Sequence, residues 1–119
     1  MNPIRSFRDL DAWALSMDLV DHVILQTRAL PPDEFDLRRQ IRRAAISIPA
    51  NVAEGYRRKG RRRAYQNHVS IAMGSQGELD TQLEVACRNG FLKRDALIET
   101  IELCQRVGTI LIRLHDSLE

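Results

Sequence analysis

Apolar side chains recur at steps of three and four residues in four separate segments of this 119-residue chain. Such spacing keeps one stripe of an α-helix apolar, whereas a half-buried strand needs strict alternation, which no segment sustains. The pattern predicts a first helix over about 9–29, a second from about 33 to a stop at 55 or 60, a third over about 62–88 and a fourth over about 94–118. Each predicted helix has one inner stripe of such residues. From the first helix to the fourth, the stripes are Leu10, Trp13, Met17, Val20, Ile24 and Thr27; Leu37, Ile41, Ala44, Ala45, Ile48 and Val52; Tyr65, Val69, Ala72, Gln76, Leu79, Leu83 and Ala86; and Leu97, Ile101, Cys104, Gly108, Leu111, His115 and Leu118.

Prolines and glycines mark the expected helix boundaries. A double proline at 31–32 should stop the first helix, and the Asn-Gly pair at 89–90 is a strong C-terminal cap signal after the third. Pro49 falls inside the second helix and should bend it rather than end it, because the apolar spacing continues through Val52. Long helices with short connections run antiparallel to their neighbours. The sequence therefore predicts one all-α domain over residues 1–119, an antiparallel up-down-up-down four-helix bundle.

Some apolar residues of the first and fourth helices lie outside the inner stripes. They are Ala14, Val23, Ile98, Val107 and Ile110. A lone bundle hides one stripe per helix, so this surplus indicates a second buried face and hence a homo-oligomer.

The composition fits a cytoplasmic protein. Apolar residues make up 44% of the chain and aromatic residues only 5%, so the core must be built mainly from Leu, Ile, Val and Ala. No apolar run is long enough to span a bilayer, and the N-terminus lacks the apolar stretch of a signal peptide, so we expect no membrane partner. Cys87 and Cys104 fall at helical core positions, as reduced thiols of a cytosolic protein do.

Charge is unevenly distributed along the chain. The segment 38–63 holds ten Arg or Lys residues and one acid, whereas the rest of the chain holds eight and fifteen. The cations of the expected corner between the second and third helices form the best functional candidate, here called the basic corner. Its members are Arg57, Arg58, Lys59, Arg61, Arg62 and Arg63, and Arg38 and Arg42 of the second helix are added as further candidate nucleic-acid contacts.

Three interpretations of the basic corner stay open. Arg and Lys neutralise phosphates, so RNA or DNA is one partner, and the flanking Tyr56 and Tyr65 could stack on bases, although Tyr65 suits the core better. The corner could instead pair with another protein or with the acidic surface of the first helix of another subunit (Asp9, Asp11, Asp18 and Asp21). It could also be a solvated surface.

Four polar residues share faces of the middle helices. Asn51 and Glu54 are three apart on the second helix, and Ser75 and Glu78 are three apart on the third, among small residues that permit close helix packing. If the two carboxylates meet across that contact they could form a shared-proton or metal site. The favoured interpretation is a polar network that fixes the register of the two helices or of neighbouring subunits.

The motifs of several enzyme classes are missing from the sequence. A di-iron bundle needs Glu-x-x-His pairs, and the chain has none; His22, His68 and His115 lie on three different helices. There is also no Cys-x-x-Cys for zinc and no Gly-rich phosphate loop after a strand. We therefore predict no catalytic residue, no metal site and no cofactor.

The second helix reads Gln-Ile-Arg-Arg-Ala-Ala-Ile-Ser-Ile-Pro-Ala-Asn-Val-Ala-Glu-Gly from residue 40, and the third carries Ala-Met-Gly-Ser-Gln-Gly-Glu-Leu from residue 72. With Phe-x-x-Leu-x-x-Trp from residue 7 and Pro-x-Glu from residue 32, the chain resembles the 23S rRNA intervening-sequence proteins from Phe7 to about Phe91, and more loosely beyond. Val52 stands where that family usually has isoleucine. The resemblance implies a small cytosolic bacterial bundle, assembled as a homopentamer, with a loose link to RNA and no enzymatic activity. The number five rests on the resemblance alone.

Overall fold

The computed structural model describes residues 3–119, and all regular structure in that range is helical. Four α-helices span Asp11–Thr27 (α1), Phe35–Tyr56 (α2), Arg62–Arg88 (α3) and Arg94–Ser117 (α4), with single 3-10 turns at Phe7–Asp9 and Pro32–Glu34. The predicted all-α class with four helices is confirmed. No helix within the described range is long and apolar enough to cross a membrane.

The first helix is shorter than its predicted range of 9–29. Leu10 has an extended backbone (φ −79°, ψ 131°), which separates α1 from the preceding 3-10 turn. That turn is held by a capping box in which Ser6 accepts from the backbone of the turn while Asp9 accepts from the backbone N–H of Ser6. Local hydrogen bonding therefore gives residues 7–9 an alternative to the helix that the apolar spacing suggested.

The proline and glycine signals in α2 and after α3 have the effects that the sequence predicts. Pro49 lies buried inside α2, which continues past it to Tyr56. Gly90 has φ +72° directly after α3, a conformation that glycine adopts without strain. The backbone N–H groups of Phe91 and Leu92 both donate to the carbonyl of Ala86, which closes the turn into α4.

Each helix packs against the helices before and after it in the chain, and α1 also contacts α4. Hydrogen bonds between α3 and α4 show how these two helices are aligned: Gln66 Nε2 donates to the carbonyl of His115 at 3.3 Å, and Gln76 Nε2 donates to that of Cys104 at 3.0 Å. A step forward along α3 is thus a step backward along α4.

Aliphatic side chains of all four helices fill the core. The inner stripes predicted for α2, α3 and α4 are buried or half-buried throughout. The buried face of α1 is instead Ala12, Ser16, Leu19, Val20, Val23 and Thr27. Of the predicted stripe only Val20 and Thr27 are fully buried, and Met17 is 36% exposed.

The prediction of the inward face of α1 was wrong because this helix carries apolar residues on most of its circumference. Their spacing then leaves the inward face undetermined, and the packing of α1 against both α2 and α4 decides it. For the same reason Val23 and Val107, expected on a second face, belong to the core, whereas Ala14 and Ile98 are exposed.

The contact between α2 and α3 includes one close backbone approach. A Cβ placed on Gly55 would lie 3.0 Å from Cβ of His68 and 3.0 Å from Cδ1 of Tyr65. By contrast, a Cβ on Gly74 of α3 would meet nothing within 4 Å.

We expect Gly55→Ala to lower the free energy of unfolding by about 1–3 kcal/mol, because buried neighbours must move to admit the methyl group. The matched control, Gly74→Ala, should instead raise it by roughly 0.5–1 kcal/mol, because alanine favours an open helix interior. Urea denaturation followed by circular dichroism measures both. Equal effects of the two substitutions would contradict the close approach.

Glu84 joins the end of α3 to the start of α4. Its carboxylate accepts two hydrogen bonds from Arg94 at 2.9 Å and one from Arg88 at 2.9 Å. These hydrogen bonds, Arg94 contributing most, lower the pKa of Glu84 from 4.5 to about 2. A depressed carboxyl pKa stabilises the fold above the unfolded-state value, and that contribution is lost as pH falls from about 4.5 to about 2.

Glu84→Gln should therefore melt at a lower temperature than the wild type at pH 7, and the difference should vanish near pH 2. Glu99→Gln, on an exposed residue of α4 outside every ion pair of the described chain, is the control and should melt like the wild type. Thermal melts at both pH values check this. A difference that persists at pH 2 would show that the charge of Glu84 is not what matters.

Candidate nucleic-acid interface

The basic corner is a tight connection between α2 and α3. Backbone N–H groups of Arg58 and Lys59 donate to the carbonyls of Gly55 and Tyr56, and that of Arg61 donates to Arg58. The chain therefore reverses within five residues, all of them exposed. Because the turn is short, its cations cannot spread apart.

Four of the six cations make contacts within the chain. Arg58 pairs with Glu54 at 3.0 Å, and Arg62 Nη1 donates to the backbone carbonyl of Glu119 at 3.2 Å. Lys59 Nζ donates to the Tyr56 hydroxyl at 3.0 Å and lies 4.4 Å from the centre of that ring. The guanidinium of Arg57 lies 5.9 Å from the centre of the Phe7 ring.

Arg61 and Arg63 contribute exposed cationic groups to the corner. Neither is in an ion pair with any described residue of the chain. The contacts of Arg58 and Arg62 are exposed as well, so they are worth little and exchange readily with an external anion.

The N-terminal turn adds two cations that the sequence reasoning missed. Arg5 and Arg8 line one groove with Arg57 and Lys59. The Phe7 ring packs on Trp13 with centroids 5.4 Å apart and has the Arg8 guanidinium 4.8 Å from its centre, while the backbone N–H of Arg5 donates to Asp9 Oδ2 at 2.8 Å. Eight cations of the described chain therefore gather at this end: Arg5, Arg8, Arg57, Arg58, Lys59, Arg61, Arg62 and Arg63. The Ser-x-x-Asp capping box was the available signal that residues 6–9 are structured.

The two tyrosines that flank the corner are not available for base stacking. Tyr56 and Tyr65 are buried and contact each other edge to face, with ring centroids 6.3 Å apart. Burial, and then the neighbouring Tyr56, raise the pKa of the Tyr65 hydroxyl. The expectation for Tyr65 as a core residue is confirmed, and the stacking role suggested for Tyr56 is wrong because the corner folds over its ring.

Arg38 and Arg42 lie away from the corner and act on α1. Arg38 donates to the backbone carbonyls of Thr27 and Leu30, both at 3.1 Å. Arg42 donates to the Thr27 hydroxyl at 2.9 Å and to the carbonyl of Ile24 at 3.1 Å. The last carbonyls of a helix lack intrahelical partners and carry its negative dipole end. These two arginines therefore cap the C-terminus of α1 and do not lie at the basic corner with which the sequence grouped them.

The polar residues predicted between α2 and α3 are only partly brought together. Ser47 Oγ and Ser75 Oγ are 2.8 Å apart, and Asn51 Nδ2 donates to Ser47 Oγ at 3.1 Å, so Asn51 and Ser75 meet through Ser47. His68 Nδ1 lies 3.2 Å from Asn51 Oδ1, so a second residue of α3 joins Ser75 in this network.

Each of the two carboxylates of that prediction has a partner four residues further along the chain. Glu54 pairs with Arg58, and Glu78 accepts from Gln82 at 3.1 Å. The geometry within one chain is thus a hydroxyl and amide network between α2 and α3. Ser47 and His68 were missed because neither stands out in a pattern of charges or apolar spacing.

Neither cysteine has the lowered thiol pKa of a nucleophile. Burial, as the largest cause, raises the pKa of Cys104 to about 12 and also raises that of Cys87. Both thiols are free. At neutral pH they stay protonated and unreactive.

Three groups of metal-binding type come together near the C-terminal end. One ligand atom each of His115, Asp116 and Glu119 lies within 4.8 Å of the others. Asp116 and Glu119 are exposed, and such acidic groupings are common without an ion. No spacing motif in the sequence marks this trio.

Four helices around an aliphatic core, with eight cations at one end, define the class: a small all-α four-helix protein with one strongly cationic end. The chain belongs to the 23S rRNA-intervening sequence protein family, whose model matches residues 8–113. The resemblance found in the sequence motifs is thereby confirmed. A search of curated proteins finds no match to this chain.

We expect Arg42→Gln to lower the free energy of unfolding by about 1–3 kcal/mol, because it removes charge-assisted hydrogen bonds to the half-buried end of α1. Arg106→Gln is the control. It changes an exposed arginine of α4 outside every ion pair of the described chain and should alter stability by no more than about 0.5 kcal/mol. Urea denaturation measures both. Indistinguishable unfolding midpoints would show that Arg42 does not cap α1.

Proposed function

We propose that this protein is a non-catalytic nucleic-acid-binding protein that holds RNA, in preference to DNA, through its basic corner. The gathering of eight cations from the N-terminal turn, the end of α2 and the start of α3 carries this proposal. Guanidinium and ammonium groups at such density neutralise successive phosphates and release their counterions. The family's description as 23S rRNA-intervening sequence proteins supports RNA as the nucleic acid.

The arrangement favours contacts to phosphates over contacts to bases. The cations project from an exposed turn, and the two tyrosines that would offer stacking surfaces are buried. Phosphate contacts fix position without reading sequence. Binding is therefore expected to depend strongly on salt and little on sequence.

The proposal includes assembly and location. The four helices form an up-down-up-down bundle, supported by the opposite direction of the α3–α4 hydrogen bonds, and copies of the bundle assemble into a cytoplasmic ring. The family resemblance suggests five copies. A ring would repeat the basic corner once per subunit and so raise the local positive potential. No cofactor or metal takes part.

A salt titration of binding tests the nucleic-acid role. With about four to six phosphates neutralised on a single strand, the slope of log K against log salt should be roughly −3 to −4, and a fourfold rise in salt should weaken binding about 50- to 300-fold. Fluorescence anisotropy of labelled RNA, and of labelled DNA of the same sequence, measures the affinity for each.

Two triple variants with the same charge change locate the site. Arg57→Gln, Arg61→Gln and Arg63→Gln together should make the slope shallower by about 2, since each removes one phosphate contact. Arg28→Gln, Lys93→Gln and Arg106→Gln together, on exposed cations elsewhere, should leave the slope unchanged.

Other outcomes would contradict the proposal. Equal losses in both triple variants would mean that net charge, rather than the basic corner, governs binding. If the corner variant dissociates into 13.7 kDa monomers, the corner is an assembly surface and the protein is a structural interaction module. If the wild-type protein binds neither RNA nor DNA, the basic corner is only a solvated surface.

A further inference from the structure

The side of α1 that faces away from the core is both apolar and acidic. Ala14, Met17, Asp18, Asp21 and Leu25 are all exposed. At about 100° per residue they fall within an arc of about 100°, on one stripe. Leu25 is 58% exposed, and neither Asp18 nor Asp21 is in an ion pair with any described residue. This is here called the acidic stripe.

The outward side of α2 has the matching composition with the opposite charge. Phe35, Arg39, Arg43 and Ile46 are exposed and share one side of the helix, where Phe35 and Ile46 form the two ends of a shallow groove lined by arginines. Phe35 is 64% exposed and Ile46 is 49% exposed. Exposed apolar patches rimmed by polar residues mark surfaces that bind partners. This is here called the basic stripe.

The two stripes have nearly the same spacing. From Ala14 the acidic stripe places its aspartates four and seven residues on and Leu25 eleven residues on. From Phe35 the basic stripe places its arginines four and eight residues on and Ile46 eleven residues on. Each stripe thus puts two like charges between two apolar ends about 16 Å apart.

We propose that the acidic stripe of one copy docks on the basic stripe of another, with the two helices antiparallel. In that orientation Leu25 meets Phe35, Asp21 meets Arg39, and Asp18 meets Arg43, while Ala14 and Met17 cover Ile46. The internal partner of Arg39 is the exposed Asp36, at 2.8 Å, so that arginine remains able to form a new pair. This inference rests on the homo-oligomer of the proposed function and assigns its interface.

A contact between two different surfaces has a geometric consequence. Because the acidic stripe is not complementary to itself, the dimer cannot be two-fold symmetric through this contact alone. In such a pair one copy keeps a free basic stripe and the other a free acidic stripe, so each can recruit a further copy. The contact is therefore head-to-tail, and it closes into a ring when its rotation permits. Arg38 and Arg42, which cap α1, lie beside the basic stripe but are not needed for the pairing.

Charge reversal and its rescue test this interface. Asp18→Arg with Asp21→Arg, and separately Arg39→Glu with Arg43→Glu, should each place like charges face to face. Each should raise the protein concentration at half-dissociation about tenfold or more. The quadruple variant that combines all four changes restores opposite charges at both positions and the original net charge of +2, and it should reassemble. Light scattering measures the mass, and circular dichroism verifies that every variant is folded.

A matched quadruple variant on α4 serves as the control. Glu99→Arg and Glu102→Arg with Arg106→Glu and Arg113→Glu also leave the net charge unchanged, on exposed residues outside both stripes. It should keep the wild-type mass.

The outcomes separate the interface from the oligomer. A wild type of 13.7 kDa at tens of micromolar would overturn the homo-oligomer and this interface together. An oligomeric wild type whose mass survives both double reversals would overturn the interface alone. So would double variants that dissociate without rescue in the quadruple variant, since the stripes would then not face each other.

Discussion

The missing side chain of Gly55 permits the contact on which both the fold and the candidate site depend. At this point α2 comes close enough to α3 that any Cβ would lie 3.0 Å from Tyr65 and His68. With the end of α2 held against the start of α3, the connection between them is only five residues long, and those residues are almost all cationic. The same contact turns Tyr56 and Tyr65 edge to face beneath the turn. The density of positive charge at this end is thus a consequence of close helix packing.

Arginines with the same appearance in the sequence have different roles in the structure. Arg38 and Arg42 satisfy carbonyls at the C-terminus of α1, where a helix lacks internal donors, so they stabilise the fold. Arg39 and Arg43, one position further on in each case, point to the outward side of α2. The helical period of 3.6 residues separates these two pairs and gives one helix both a structural and a surface set of cations.

The distribution of charge links the two proposals. The cationic end offers phosphate contacts, while the acidic and basic stripes on the sides of α1 and α2 offer contacts between copies. A ring built through the sides leaves the ends of the bundle open, so assembly and nucleic-acid binding use different surfaces. In the proposed ring, the exposed apolar residues Leu25, Phe35 and Ile46 would be covered by neighbouring copies.

The sequence determined the four helices, the boundaries of α3 and the buried stripes of α2, α3 and α4, because strong periodicity and clear caps fix these locally. It also identified the family and the basic corner. Tertiary structure decided which side of α1 faces inward, since apolar residues surround that helix and only its packing against α2 and α4 selects among them. It also decided that Arg5 and Arg8 join the corner while Arg38 and Arg42 leave it. Those outcomes depend on distances between residues far apart in the chain, which local spacing does not encode.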